Sequence, residues 1–300
     1  MRHAVPPGFR PVHLRLFWHS LGLRLGLDSR VLAPPWRLPR VPDLTRVRAA
    51  LLDPAREVAI ILGAYGLYLL VPRVLFAPLR DGAAANAQRV VDLSAQLGIG
   101  WEAAWQGWAL EAGTPVVLAF NWYYLLAFWP SMALTGVLVY LRHRDLYTYY
   151  RNALVISLAI AVCVFALFPV APPRMMGLVD TIQAHSSLPY YGGAEMDPIY
   201  NSLAAMPSMH FAWTFLFGVL FFRLGPLWLK AVGVLYPGVH FFSIVITGNH
   251  YVLDAVGGLA VGLLAIALYE GYLRWRAATA KREGMAVERA ATPPVETPAG

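Results

Sequence analysis

Charged residues are scarce in this sequence, and cysteine is nearly absent. Only 14% of the 300 residues are Asp, Glu, Lys or Arg, whereas 58% are hydrophobic and the mean hydropathy is +0.52. An average soluble domain carries about 25% charged residues, so this composition excludes an ordinary soluble fold. The single cysteine, Cys163, excludes a disulfide framework and a cysteine metal site. We therefore expect an integral membrane protein.

Acidic residues are the scarcer charged class, and the net charge is +7. Ten of the 24 Lys and Arg residues precede Glu57 and five follow Tyr272, so the basic residues flank the apolar segments. This distribution indicates membrane topology rather than a folded basic face. We expect no nucleic-acid partner. The sequence gives no indication of the oligomeric state.

Six apolar segments are each close to the roughly 20 residues that a bilayer-spanning helix requires. They are residues 58–76, 116–140, 152–170, 207–222, 231–247 and 251–273. Between the first two, residues 86–112 carry apolar and polar positions at helical spacing and predict a pair of interfacial or re-entrant helices. The predicted fold class is all-α, a polytopic membrane helical bundle with about six transmembrane helices.

Three regions follow from these segments. Residues 1–56 form a cytoplasmic, Arg/Pro-rich N-terminal segment, in which residues 14–25 predict a basic amphipathic helix on the membrane surface. Residues 57–273 form the six-span membrane domain, and residues 274–300 a disordered cytoplasmic tail. With the N-terminus inside, 20 of the 24 Lys and Arg lie on the cytoplasmic side. We expect a multi-pass cell membrane protein whose polar site faces the extracytoplasmic side.

The first chemical signal is T-G-N-H-Y-V-L-D-A-V-G-G, residues 247–258. It places His250 and Asp254 four residues apart at the start of the sixth span, on one face if the segment is helical. An Asp near the bilayer centre costs roughly 2.5–3.5 kcal/mol on insertion scales, so such a pair indicates function. The carboxylate can hold one imidazole nitrogen protonated and leave the other free to attack. A structural His–Asp hydrogen bond is the alternative.

Two further segments reach the same level of the bilayer. In A-M-P-S-M-H, residues 205–210, Pro207 suits a first helical turn, Ser208 lies beside free backbone N–H groups, and His210 projects into the same mouth. In F-P-V-A-P-P-R, residues 168–174, the prolines end the third span beside Arg174, whose guanidinium suits phosphate oxygens. The alternatives are a helix cap with a satisfied His, and an interfacial Arg.

Together these motifs resemble the type 2 phosphatidic acid phosphatase superfamily, in particular its inositol phosphorylceramide synthase-like branch. P-S-M-H stands for the second family motif, H-Y-V-L-D for the third and A-P-P-R for the first. The resemblance implies that His250 attacks phosphorus, Asp254 orients it and His210 protonates the leaving oxygen. It also implies a phosphohistidine intermediate, a metal-independent mechanism and no cofactor.

Two positions depart from the general superfamily pattern. Ile244 stands where the third motif has Arg, and Leu167 stands where the first motif has Lys. We therefore expect Arg174, Ser208 and Asn249 to bind the phosphate instead, which is closer to the synthase-like branch than to the simple phosphatases.

The predicted function is a lipid-phosphate phosphatase or a head-group phosphotransferase, with a lipid phosphate or phospholipid as substrate. The sequence does not decide between hydrolysis and transfer. The long loop 175–206, with Tyr190, Tyr191 and Tyr200, would motivate the transfer option if it covers the site and excludes water. The alternative from another class is a non-catalytic lipid or anion carrier of the same fold. Two His and one Asp also permit a zinc site, which ranks lower because the His–Asp hydrogen bond competes for the same atoms.

Two other polar residues receive structural interpretations. His240, deep in the fifth span, is expected to be a packed and hydrogen-bonded helix residue. Glu102 is expected to be an interfacial or loop carboxylate.

Overall fold

The computed structural model of the chain describes residues 44–74, 81–185 and 201–291, with side chains described for 53–71, 81–185 and 201–284. The chain divides into two compact units, Glu57–Ile266 and a second one formed by Met1–Arg56 with Ala267–Gly300. The predicted amphipathic helix at residues 14–25, the three loop tyrosines Tyr190, Tyr191 and Tyr200, and the last nine residues of the tail lie outside the described residues.

The described chain is helical, with one isolated β-bridge between Val170 and Ala204. Its α-helices are α1 (Leu44–Val74), α2 (Ala83–Gln96), α3 (Glu102–Glu111), α4 (Thr114–Leu126), α5 (Trp129–Arg142), α6 (Arg144–Leu167), α7 (Thr181–His185), α8 (Met209–Leu224), α9 (Leu227–Ile246) and α10 (Val252–Ala291). A 3₁₀ turn covers Pro173–Met175. The prediction of an all-α polytopic membrane bundle is confirmed.

Five helical stretches in the described residues are long and apolar enough to cross a membrane. They are Asp53–Val71, Thr114–Arg142, Arg144–Leu167, Leu227–Ile246 and Val252–Gly284. The predicted fourth span corresponds to α8, which is apolar but has only 16 residues. The N-terminal ends of these stretches lie one to eight residues from those of the predicted spans, because the apolar runs set the boundaries only in part and polar residues extend the helices.

Two of the differences from the predicted spans have a direct cause in the sequence. The predicted second span is divided into α4 and α5, since Pro130 near the start of α5 has no N–H to donate to the preceding turn. Helix α10 continues past the predicted span end at residue 273 to Ala291, because the segment 274–291 is rich in the helix formers Ala, Arg, Glu and Lys. Helices α2 and α3 form the helix pair predicted for residues 86–112.

Helices α8 and α9 pack against each other more closely than any other helix pair in the described bundle. Gly218 of α8 and Gly233 of α9 meet backbone to backbone, so that a Cβ on Gly233 would lie 2.7 Å from the Gly218 carbonyl oxygen. Small residues at helix crossings allow such close approach in membranes. Helix α9 also packs against α4 and α3, and this arrangement surrounds the polar residues at the end of α9.

Candidate functional site

Helix α9 ends in a tight turn that leads directly to His250. Gly248 has a φ of 75°, its N–H donates to the Val245 carbonyl at 3.0 Å, and the Asn249 N–H donates to the Ile244 carbonyl at 3.2 Å. This pair of hydrogen bonds is a Schellman motif, which favours glycine at the left-handed position. A Cβ on Gly248 would also lie 2.7 Å from the Val179 carbonyl oxygen. The motif therefore explains why the sequence T-G-N-H ends α9 abruptly just before the next helix begins.

The start of helix α10 holds Asp254. The Tyr251 N–H donates to Asp254 Oδ2 at 2.8 Å, which is the reciprocal half of a capping box. Asp254 is completely buried. The adjacent helix N-terminus stabilises its negative charge. The Tyr251 hydroxyl donates to the Ala171 carbonyl at 3.2 Å.

The tautomer of His250 follows from its partners. His250 Nδ1 lies 2.8 Å from the Ala205 carbonyl oxygen and 3.4 Å from Asp254 Oδ2. A carbonyl oxygen only accepts hydrogen bonds, so Nδ1 carries the proton. Nε2 is then the nitrogen with the free lone pair. His250 and Asp254 thus lie side by side, and Nε2 of His250 is the ring nitrogen that is not occupied by the proton.

Helix α8 brings His210 to the same place. Ser208 is the N-cap residue, and its hydroxyl accepts from the Phe211 N–H at 3.3 Å. The Ser208 N–H donates to the Asp254 carbonyl at 2.9 Å, which joins the starts of α8 and α10. Gly258 permits this junction, because a Cβ there would collide with the Ser208 carbonyl oxygen.

The ring of His210 lies 5.7 Å from the ring of His250, centroid to centroid. Two aromatic rings hold it, Phe128 at 4.2 Å and Tyr124 at 4.8 Å. The two predicted histidines are therefore neighbours, although they are 40 residues apart in the sequence. Helix α8 begins beside the histidine pair, and the first turn of a helix carries N–H groups that have no partner within the helix.

Arg174 completes the set of predicted cations at the site. Its backbone N–H donates to the Gly248 carbonyl at 2.9 Å, and its side chain pairs with the Asn249 side-chain carbonyl and, at 3.5 Å, with Asp180 Oδ2. Arg174 is thus attached directly to the turn that precedes His250. The three sequence motifs converge, since each of them makes a hydrogen bond to another.

Two of the predicted phosphate-binding residues, Asn249 and Ser208, are buried and use their side chains in hydrogen bonds within the protein. Asn249 is almost fully buried, and its amide nitrogen donates to the Thr247 hydroxyl at 2.8 Å while its oxygen accepts from Arg174. Ser208 is completely buried as a helix cap. Both side chains therefore position neighbouring groups in this structure. Ile244, at the position of the missing Arg, lies in an apolar cluster with Tyr124 and Val252.

Three residues with a role in the site's architecture were not identified from the sequence. Glu102, expected to be an interfacial or loop carboxylate, lies in α3, is buried and accepts from the Val252 N–H at 2.7 Å, so it links α3 to the start of α10. Gln106 hydrogen-bonds Val179 through both polar atoms of its amide and also donates to the Ile246 carbonyl. The partners of Glu102 and Gln106 are far away in the sequence. The sequence therefore indicates these two residues only as polar positions among the tryptophans of α3.

The third is His240. It is completely buried in α9, as expected, but neither ring nitrogen has a hydrogen-bond partner in the described part of the chain. The expectation of a hydrogen-bonded helix residue is therefore wrong. Its ring stacks on that of His210, with 5.8 Å between centroids and 16° between planes.

Among the side chains of residues 53–71, 81–185 and 201–284, no group of three or more His, Cys, Asp or Glu is placed to hold a metal ion.

A family model described as the PAP2 superfamily matches residues 88–268. The match covers helices α3 to α9, most of α2 and the first part of α10, and so includes every predicted site residue. No curated protein and no solved structure matches the chain.

Proposed function

The chain belongs to the PAP2 superfamily, and we propose from this premise that it is a membrane enzyme that hydrolyses or transfers a phosphoryl group of a lipid phosphate. The observation that supports the proposal best is the pairing of His250 Nδ1 with the Ala205 carbonyl and Asp254. A buried His held in one tautomer by a backbone carbonyl, with a carboxylate beside it and a second His ring 5.7 Å away, is the arrangement that nucleophilic catalysis needs.

The first step forms a phosphohistidine. His250 Nε2 attacks phosphorus, the bond between phosphorus and the alcohol oxygen breaks, and His210 gives its proton to the departing oxygen. The positive charge that develops on the His250 ring is stabilised by the Asp254 carboxylate.

The second step removes the phosphoryl group from His250 and regenerates the enzyme. Water or the hydroxyl of an acceptor attacks phosphorus and gives its proton to His210, and the P–N bond breaks with its electron pair returning to His250. The choice between the two nucleophiles distinguishes a phosphatase from a phosphotransferase, and the inositol phosphorylceramide synthase-like motifs favour transfer. In both cases the chemistry needs no metal ion.

The phosphate oxygens would be bound by Arg174 and by the first-turn N–H groups of α8. Arg174 is positioned for this role by its bonds to Gly248 and Asn249. Ser208 and Asn249 then support the phosphate through the helix start and through Arg174. We further propose that this mouth opens to the extracytoplasmic side, since the Lys and Arg residues favour the opposite side.

The test is to trap the intermediate. Purified protein is mixed with ³²P-labelled phosphatidic acid, quenched in alkali, in which phosphohistidine persists, and digested so that the labelled peptide can be identified. We expect label on His250 in the wild type and none in His250→Ala, with phosphate release lost in the variant. Full turnover by His250→Ala would contradict the nucleophile assignment.

A chelator separates this mechanism from a zinc-dependent one. We expect EDTA to leave the rate of phosphate release unchanged, because the proposed steps use only His210, His250 and Asp254. A rate that falls with EDTA and returns with zinc would favour the metal alternative. Lipid transport that survives in His250→Ala, without any phosphoenzyme in the wild type, would favour the carrier.

A further inference from the structure

His240 is a buried polar residue that the proposed chemistry does not use. It is completely buried, and both ring nitrogens are without a hydrogen-bond partner in the described part of the chain. Leaving a buried polar group unpaired lowers the stability of the folded state. A phenylalanine would fill the same place without that cost. A buried imidazole with two free nitrogens beside a reaction site therefore points to a partner that arrives with the substrate.

The surroundings of His240 place it next to the acid–base histidine. Its ring is parallel to that of His210 within 16° and is also flanked by Phe128 at 5.4 Å and Tyr236 at 6.1 Å. His240 lies six residues before the end of α9, which corresponds to about 9 Å along the helix. It is therefore deeper along α9 than the Gly248–His250 turn.

The chemistry of the proposed reaction indicates which part of the substrate lies there. This step rests on the function proposed above. In an in-line displacement the departing and the entering oxygen both lie opposite His250, on the side of His210 that acts as acid and base. In a bilayer-bound lipid phosphate, the alcohol lies on the membrane side of the phosphorus. His240 is adjacent to His210 and displaced along α9 toward the membrane, as the alcohol would be.

We propose that His240 hydrogen-bonds a polar group of the lipid alcohol close to the reacting oxygen. A neutral imidazole offers one N–H donor and one acceptor nitrogen. An ester carbonyl, an amide or a second hydroxyl can pair with it, whereas a plain alkyl chain cannot. His240 thus selects lipid phosphates with a polar backbone over simple alkyl phosphates.

The test compares three substrates in the same detergent micelles: dioleoyl phosphatidic acid, ceramide 1-phosphate and hexadecyl phosphate. The first offers ester carbonyls, the second an amide and a hydroxyl, and the third neither. We expect the wild type to prefer one of the first two over hexadecyl phosphate. In His240→Phe, kcat/KM for the preferred lipid should fall about tenfold, the equivalent of one hydrogen bond, while that for hexadecyl phosphate stays unchanged. His240→Gln, which keeps a donor and an acceptor, should retain part of the preference.

Tyr236→Phe is the matched control. The Tyr236 hydroxyl belongs to the same aromatic cluster but bonds Ser131 at 2.7 Å and the Ala127 carbonyl at 2.9 Å. Its loss should lower the midpoint of thermal unfolding and leave the substrate preference intact. His240→Phe should instead unfold at the same or a higher temperature, because it removes an unpaired polar group.

Two results would overturn the inference. Equal loss on all three substrates in His240→Phe would mean that His240 acts only through His210, and a wild type without preference would mean that no polar backbone is recognised. Failure of the proposed function looks different. In that case no substrate releases phosphate, His250 carries no label, and the inference about His240 falls with it.

Discussion

At the scale of single residues, the proton on His250 Nδ1 determines what the site can do. Two acceptors surround that nitrogen, the Ala205 carbonyl at 2.8 Å and Asp254 at 3.4 Å. The carbonyl alone is enough to select the tautomer. In the proposed mechanism Asp254 would therefore contribute its charge above all, since a phosphorylated His250 ring would be positive in buried surroundings. Asp254 Oδ1 has no partner among the described residues, so this charge is held at a cost in stability.

The variant Asp254→Asn separates charge from hydrogen bonding. The side-chain oxygen of Asn still accepts from the Tyr251 N–H, but the negative charge is gone. We expect phosphate release to fall about 10²- to 10⁴-fold, and the midpoint of thermal unfolding to stay the same or rise. Asp145→Asn, at an exposed acidic residue, is the control and should change neither value. Wild-type turnover by Asp254→Asn would contradict the role of the charge.

The sequence identified the residues whose signal is local. His250 and Asp254 are four residues apart, and Ser208 and His210 lie within one short motif, so spacing and helix-start chemistry were sufficient to select them. That His210 lies 5.7 Å from His250 depends on how α8 and α10 pack, and no local pattern reports it. The same holds for Glu102, whose partner Val252 is 150 residues away. His240 was misjudged because a missing hydrogen bond is a property of the packed structure.

At the scale of helices, two kinds of contact bring the site together. Glycines let backbones approach, Gly218 against Gly233 and Gly258 against Ser208. Helix ends are joined by hydrogen bonds, such as that from the Ser208 N–H to the Asp254 carbonyl. The apolar runs predicted the starts of the membrane-spanning stretches to within eight residues. They did not predict the break between α4 and α5 or the length of α10, because these depend on one proline and on the helix propensity of a polar segment.

Gly233→Ala tests the close packing of α8 and α9. The added methyl group would lie 2.7 Å from the Gly218 carbonyl oxygen, so the helices must separate. We expect the free energy of unfolding to fall by about 1–3 kcal/mol, together with activity, measured by thermal unfolding in detergent and by phosphate release. Gly136→Ala in α5 is the control, because no atom lies within 4 Å of its added Cβ. If both variants unfold alike, close packing at Gly233 is not important.

Glu102→Ala tests the bond that joins α3 to the start of α10. Losing the acceptor leaves the Val252 N–H unpaired in a buried place, so we expect a loss of about 1–3 kcal/mol in stability. Glu102→Gln keeps an acceptor oxygen and should lose less, and Glu111→Ala, at an exposed acidic residue of the same helix, should be neutral. Equal stability of Glu102→Ala and Glu111→Ala would show that this bond contributes nothing measurable.

At the scale of the whole molecule, the predicted orientation connects the charge distribution to the site. Arg142 at the end of α5 and Arg144 at the start of α6 would lie on the cytoplasmic side of the membrane. The α2–α3 connection would lie on the extracytoplasmic side, together with the histidine pair. A lipid phosphate would then enter from the outer leaflet.

The single cysteine makes this orientation directly testable. In a Cys163→Ser background, we would introduce Gln96→Cys at the α2–α3 connection and Asp145→Cys at the start of α6, both at exposed positions. A membrane-impermeant maleimide added to intact cells should label Gln96→Cys and not Asp145→Cys, because only the first faces outward in the predicted topology. Both should be labelled after permeabilisation, which confirms that the thiols are reactive. The reverse pattern in intact cells would place the histidine pair on the cytoplasmic side and direct the search for substrates to the inner leaflet.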